Sequence, residues 1–252
     1  MNPAEFQAST PFGMHGYTVA DAPVDARRTF IRKTYTHLTA AIYAFVALEY
    51  LLFAVGFDQW MMQFFRGTPM AGLILLGAFL LTSWVANSWA HSETSVGTQY
   101  AGLFLYVLLE AIIFVPMLMI AQNYAFQVKA VGQVGVIPVA AVTTLLMFGG
   151  LTAVVFFTKQ DFSFLRTALW IAGLGAFALI LVSAFAGLHL GVWFSAGMII
   201  FACAWILYDT SNVLHHYRPT QHVAASLALF ASVALLFWYV LRIAISLAGE
   251  RR

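Results

Sequence analysis

The chain has 252 residues, of which 62% are hydrophobic and 9% charged, with a formal charge of +2 and a mean hydropathy of +0.85. Water-soluble domains run near 45–50% apolar and about 25% charged, so no soluble fold fits these figures. The small positive charge is spread along the chain without a basic stripe, which excludes nucleic acid as a partner.

The first thirty residues are polar, broken by Pro3, Pro11, Gly13 and Pro23, and hold no apolar core of signal-peptide type. They are expected to be a flexible cytoplasmic tail over 1–30, followed by a transmembrane domain over 31–248 and a short tail over 249–252. Seven apolar runs are each long enough to cross a hydrocarbon core of ~30 Å, which takes about 20 helical residues. They are predicted at 36–57, 69–90, 100–121, 134–157, 164–186, 189–210 and 223–247. A β-barrel would alternate polar and apolar residues in segments of about ten. The near-continuous run from Ala168 to Gly187, interrupted by Ser183, excludes that. Exposed backbone in lipid must satisfy its own hydrogen bonds, so the predicted fold is an all-α bundle of seven transmembrane helices. Ala172, Gly173, Gly175 and Ala176 allow close helix contact in span five.

Basic residues orient the bundle. Arg27, Arg28, Arg32, Lys33, Lys159, Arg166 and Arg218 fall on one side, against Arg66 and Lys129 in the opposite links. The amino terminus is therefore expected in the cytoplasm. Arg251 and Arg252 then fall outside, unless span seven is re-entrant.

Ionisable groups inside a membrane each need a reason. Glu49 in span one, Glu110 in span three and Arg242 in span seven are such groups. Their depths allow a Glu49–Arg242 or Glu110–Arg242 pair, read either as a structural ion pair or as carboxylates lining a wet path for cations or protons. Asn87, with Trp84 and His91 on the same face, marks a polar seam in span two. Span six ends in a polar stretch, in which Asp209, Asn212 and His216 share one helical face and Ser211 and His215 the next. His215, His216 and His222 flank the last link without metal-ligand spacing, so they read as a solvated, pH-sensitive rim and no metal site is expected.

The chemistry of an enzyme is not visible. There is no His-Glu-x-x-His, and Ser195 lacks the preceding glycine of an intramembrane serine-protease motif. Lys33, Lys129 and Lys159 are the only lysines, so span seven has no Schiff-base partner for retinal. Phosphate-cradling glycine loops are absent, and no cofactor is implied.

Four stretches carry a resemblance. Ile206-Leu-Tyr-Asp-Thr-Ser-Asn-Val-Leu214 at the end of span six resembles the signature of the Bax inhibitor-1/YccA-like membrane family. Val155 to Leu165 is similar to its link between the fourth and fifth spans, Arg32 to Thr39 to its start, and Gly187 to Met198 to its YccA branch. The resemblance implies a bundle with the seventh helix at the centre. In ion-conducting members an aspartate of span six shares a proton with a second aspartate of span seven, gating a calcium leak. Two close carboxylates cannot both ionise cheaply, so such a pair senses pH. Asp209 matches the first of the two, and Ser232 stands at the second. Span two also lacks the arginine that latches the aspartate in those members. The YccA branch is linked to the membrane protease FtsH, as an interactor and slow substrate. Two functions are thus implied: a bacterial inner-membrane modulator of FtsH, engaged through the tail, or a pH-sensitive Ca²⁺ or H⁺ leak gated at Asp209.

Overall fold

A computed structural model describes residues 18–68, 70–92, 95–128, 132–188 and 190–249. Most of the expected tail, together with Lys129, His189, Arg251 and Arg252, lies outside the described residues. After a 3₁₀ turn at Val19–Asp21 the described chain forms eight α-helices and one hairpin. The helices are α1 (Val24–Ala54), α2 (Phe57–Gly67), α3 (Ala71–Ala90), α4 (Val96–Ala121), α5 (Val136–Thr158), α6 (Leu165–Ala186), α7 (Val192–His215) and α8 (His222–Gly249). All but α2 are long and apolar enough to cross a membrane.

The seven predicted spans are present; span three begins early, at Val96, span six runs on to His215, and the chain departs further in two places. Span one begins at Val24 rather than near residue 36, so its basic leading turns are helical. Arg27 fixes that start by donating from Nε to the Val19 carbonyl at 3.0 Å and from a terminal nitrogen to that of Ala20. At the other end Gly56 adopts φ +76°, a left-handed conformation that side chains resist, and turns the chain directly into α2. Helix α2 was not anticipated. It is amphipathic, with Asp58 in its first turn and Arg66 in its last, as the helix dipole favours. Phe57, Trp60 and Phe64 stack along it. At eleven residues it is too short to span.

The second difference lies between α4 and α5. There β1 (Ala125–Val128) pairs antiparallel with β2 (Gly132–Gly135), with Phe126 opposite Val134. The hairpin takes up the residues that had been assigned to the start of span four.

Helix α8 is the core of the bundle. Of its most apolar window 72% is buried, against 6–39% for the other six spans. It packs on α1, α4, α5 and α7 and more lightly on α3. Ala224, Ala225 and Ser226 near its start are all but inaccessible, because small side chains let neighbouring backbones approach. Leu229, Leu236 and Leu241 fill the space where the helices diverge. The ring around α8 is incomplete, however: α6 packs chiefly on α7. Its Trp170, Ile171, Leu174 and Phe185 are exposed, as lipid-facing residues should be.

Candidate functional site

Three consecutive polar residues near the end of α7 are buried, and the rise of about 100° per residue turns each toward a different neighbour. Asp209 faces α8, where the Ser232 hydroxyl donates to its Oδ2. Thr210 faces α1 and α5, close to the Tyr35 hydroxyl and Thr152, although none of the three hydroxyls makes a well-formed hydrogen bond among the described residues. Ser211 faces the α5–α6 link, accepting from the Phe162 N–H at 2.8 Å and donating toward Asp161 at 3.3 Å.

The face that carries Asp209 also carries Ala202, Ile206 and Val213, all fully buried. This i, i+4, i+7, i+11 stripe is what presses α7 onto α8 and brings the carboxyl against Ser232. Of the residues expected to share a face with Asp209, His216 caps the end of the helix and meets Asp161 at 3.0 Å, in a half-exposed pair. The slight burial of Asp161 works against its charge, but the Ser163 N–H and His216 outweigh it and hold its carboxyl below the ordinary aspartate pKa. His215 faces back to the Ser211 carbonyl at 3.0 Å, and the His222 ring lies 5.1 Å from that of His37.

Asp209 and Ser232 stand at one end of a cleft of about 960 Å³ between α3, α4, α6, α7 and α8. Its polar lining also includes Ser83, Asn87, Tyr106, Glu110, Tyr239 and Arg242. Tyr106 lies within electrostatic reach of both carboxyls, and its hydroxyl is placed to donate to Glu110. Asn87 and Trp84 thus face a cavity, while His91 turns to the Asn87 carbonyl at 2.9 Å.

The predicted ion pairs are not made. Neither glutamate is within ion-pair distance of Arg242 among the described residues; its guanidinium donates instead to the Leu190 carbonyl at the start of α7. Glu49 lies outside the cleft, buried, with neither carboxyl oxygen hydrogen-bonded among the described residues. Glu110 is engaged with Tyr106 on its own helix, so neither meets Arg242. Sequence reasoning also missed Tyr106, whose signal is its place one turn before Glu110 on α4.

Seven long apolar helices around a buried terminal one, with a carboxyl from the sixth held against the seventh, define a polytopic α-helical membrane protein with an intramembrane acid–hydroxyl site. The family model described as inhibitor of apoptosis-promoting Bax1 matches residues 27–251. The chain is 30% identical over 258 residues to Bax inhibitor 1 of Schizosaccharomyces pombe, covering 96% of this chain and 84% of that protein. It is 28% identical over 233 residues to protein lifeguard 4 of Mus musculus, covering 90% and 89%. An uncharacterized Pseudomonas aeruginosa protein is 32% identical over 171 residues, 66% of this chain and 69% of that one. The chain belongs to the Bax inhibitor-1 family.

Proposed function

We propose that the chain is a pH-sensitive leak for a cation, Ca²⁺ or H⁺, gated at Asp209. The observation that carries this reading is the Asp209–Ser232 hydrogen bond, buried at the junction of α7 and α8 and facing the same cleft as Glu110. A hydroxyl can donate to an ionised carboxylate or accept from a protonated one. Asp209 can therefore change protonation without losing its partner, as a gate must. Glu110 and Tyr106 supply the next polar groups along the cleft. A serine in place of a second acid removes one hard oxygen ligand and one charge, so Ca²⁺ is held more weakly than by a carboxylate pair. With its amino terminus in the cytoplasm, as the basic residues imply, the site lies nearer the cytoplasmic ends of α7 and α8. A bacterial inner membrane is the setting that the YccA-like motifs suggest.

Ion flux into liposomes carrying the purified protein tests this directly, from mildly acidic to mildly alkaline pH. Wild type should leak, and Asp209→Asn should flatten the pH response. Absence of flux would refute the leak. If the protein also co-purified with FtsH in a manner requiring residues 1–28, protease modulation would take its place.

A further inference from the structure

The cleft that holds Asp209 and Ser232 at one end holds Arg242 at the other, about 15 Å further along α8 at 1.5 Å per residue. Beyond Tyr106 and Glu110 its walls toward Arg242 are chiefly apolar, with Leu76 and Phe79 from α3, Met117 from α4, and Phe177 and Ile180 from α6. Helix α3 is held by α4 and α6 by α7, with no substantial packing between α3 and α6. The outer faces of these two helices expose Ile74, Leu81, Ile171 and Leu174, as surfaces against hydrocarbon do. A gap between two lipid-facing helices opens sideways into the bilayer.

An arginine in such a place needs acceptors for its donors, from an anion or from backbone carbonyls. Arg242 has no carboxylate within ion-pair distance among the described residues, and its recorded hydrogen bond is to the Leu190 carbonyl. A guanidinium carries five donors in a planar fork that matches two oxygens of a phosphate. Leu190 lies just ahead of the first turn of α7, so the positive end of that helix dipole adds to the charge. Glu110 and Asp209 lie toward the other end, where the described lining holds no cationic side chain to receive an anion. Charge therefore fixes a polarity along the cleft: anionic group at Arg242, apolar chain running toward Ser232.

We propose that the cleft between α3 and α6 is a binding site for an anionic glycerophospholipid, its phosphate on Arg242 and one acyl chain along α8. The lipid enters from the leaflet that meets the α6–α7 link. A soluble phosphate would leave the apolar walls empty, and a zwitterionic lipid would bring its own cation beside the guanidinium. This role goes beyond the leak and does not depend on it.

Native mass spectrometry of the full-length protein in mild detergent, titrated with phosphatidylglycerol or phosphatidylcholine, tests the site. Phosphatidylglycerol should be retained at one molecule per chain and favoured by about tenfold, the scale of a charge-assisted hydrogen bond. Arg242→Gln should erase the preference and Arg242→Lys restore part of it. Equal retention of the two lipids by wild type, an unchanged preference in Arg242→Gln, or displacement by soluble glycerol phosphate would overturn the proposal. A measurement on wild type alone removes any dependence on folding of the variants. Phosphatidylglycerol with a photoactivatable acyl chain should label Leu76, Phe177 or Ile180, and labelling concentrated on the exposed Leu146 and Phe157 of α5 would refute the site.

Discussion

Replacement of Gly102 by alanine should loosen the α3 wall of the cleft. A Cβ at Gly102 would sit 2.5 Å from the Ala86 carbonyl oxygen, 2.6 Å from the Ala90 nitrogen and 2.9 Å from the Trp89 Cβ. Two of these are backbone atoms of α3, which cannot swing aside as a side chain does. Reaching ordinary contact at 3.4 Å from 2.5 Å requires α3 to retreat by about 0.9 Å. Overpacking costs about 1–3 kcal/mol, and two rigid backbone contacts put this case in the upper part, about 2–3 kcal/mol. Alanine gains about 1 kcal/mol over glycine from helix propensity, which offsets only part of it. The expected net loss is about 1–2 kcal/mol, read as a lowered thermal midpoint of the purified protein in detergent. Gly149 supplies the control, since a Cβ there meets nothing within 4 Å. Gly149→Ala should leave the midpoint unchanged or raise it. A midpoint for Gly102→Ala equal to or above that of wild type would show that the close approach of α3 to α4 is not what holds this wall.

Four further outcomes follow from the site and its surroundings. Ser232→Ala strips Asp209 of its recorded partner inside the bundle, so the variant should lose about 1–3 kcal/mol, measured by the same melt; a loss within error would mean that the bond contributes nothing. Ser211→Ala leaves the Phe162 N–H without its acceptor and should cost about 1–3 kcal/mol, whereas His216→Ala removes only a half-exposed pair and should cost about 0–1 kcal/mol; the reverse order would contradict the geometry. Because Asp161 is held below its ordinary pKa, its contribution to stability is fully present above about pH 3.9 and is lost as pH falls through the depressed value. Asp161→Asn should therefore narrow the gap to wild type at the acid end of a pH series. Gly56→Ala, at φ +76°, should lower the melt by about 1–2 kcal/mol; no change would mean that the α1–α2 turn relaxes freely.

What the sequence made legible was whatever depends on length along a helix. An uninterrupted apolar run announces a crossing by itself, and the burial of α8 was visible in the resemblance to a family with a central last helix. The placement of Asp209 against Ser232 came from the same source, since nothing in composition pairs position 209 with position 232. Rotation about a helix axis was not legible. The sequence allowed Arg242 to pair with Glu49 or Glu110, yet it turns to the Leu190 carbonyl, while Glu49 lies outside the cleft and Glu110 beside Tyr106. Short elements were also hidden. Asp58, Gln59, Gln63 and Arg66 interrupt the apolar residues of α2, so no unbroken run announces it, and only the helical spacing does. The hairpin strands are four residues each, too brief for alternation to stand out between two apolar runs.

The distribution of packing says which parts of the site can move. Helix α8 is enclosed by small residues against α1, α5 and α7, so Ser232 and Arg242 sit on the least mobile element. Helices α3 and α6 are each held mainly by a single neighbour. Local opening takes the elements with the fewest buried contacts first. Widening of the cleft should therefore proceed by outward motion of α3 or α6, with the two polar ends staying fixed on α8. A lipid chain lodged between those helices would oppose such motion, while the Asp209–Ser232 bond, made between α7 and α8, lies outside it. Occupancy of the cleft and protonation of Asp209 would then act on different joints of the same bundle. That separation is measurable: Arg242→Gln should change the lipid dependence of flux while leaving its pH profile in place, and Asp209→Asn should do the reverse. A single variant that altered both together would show that the two ends of the cleft are coupled through α8 itself.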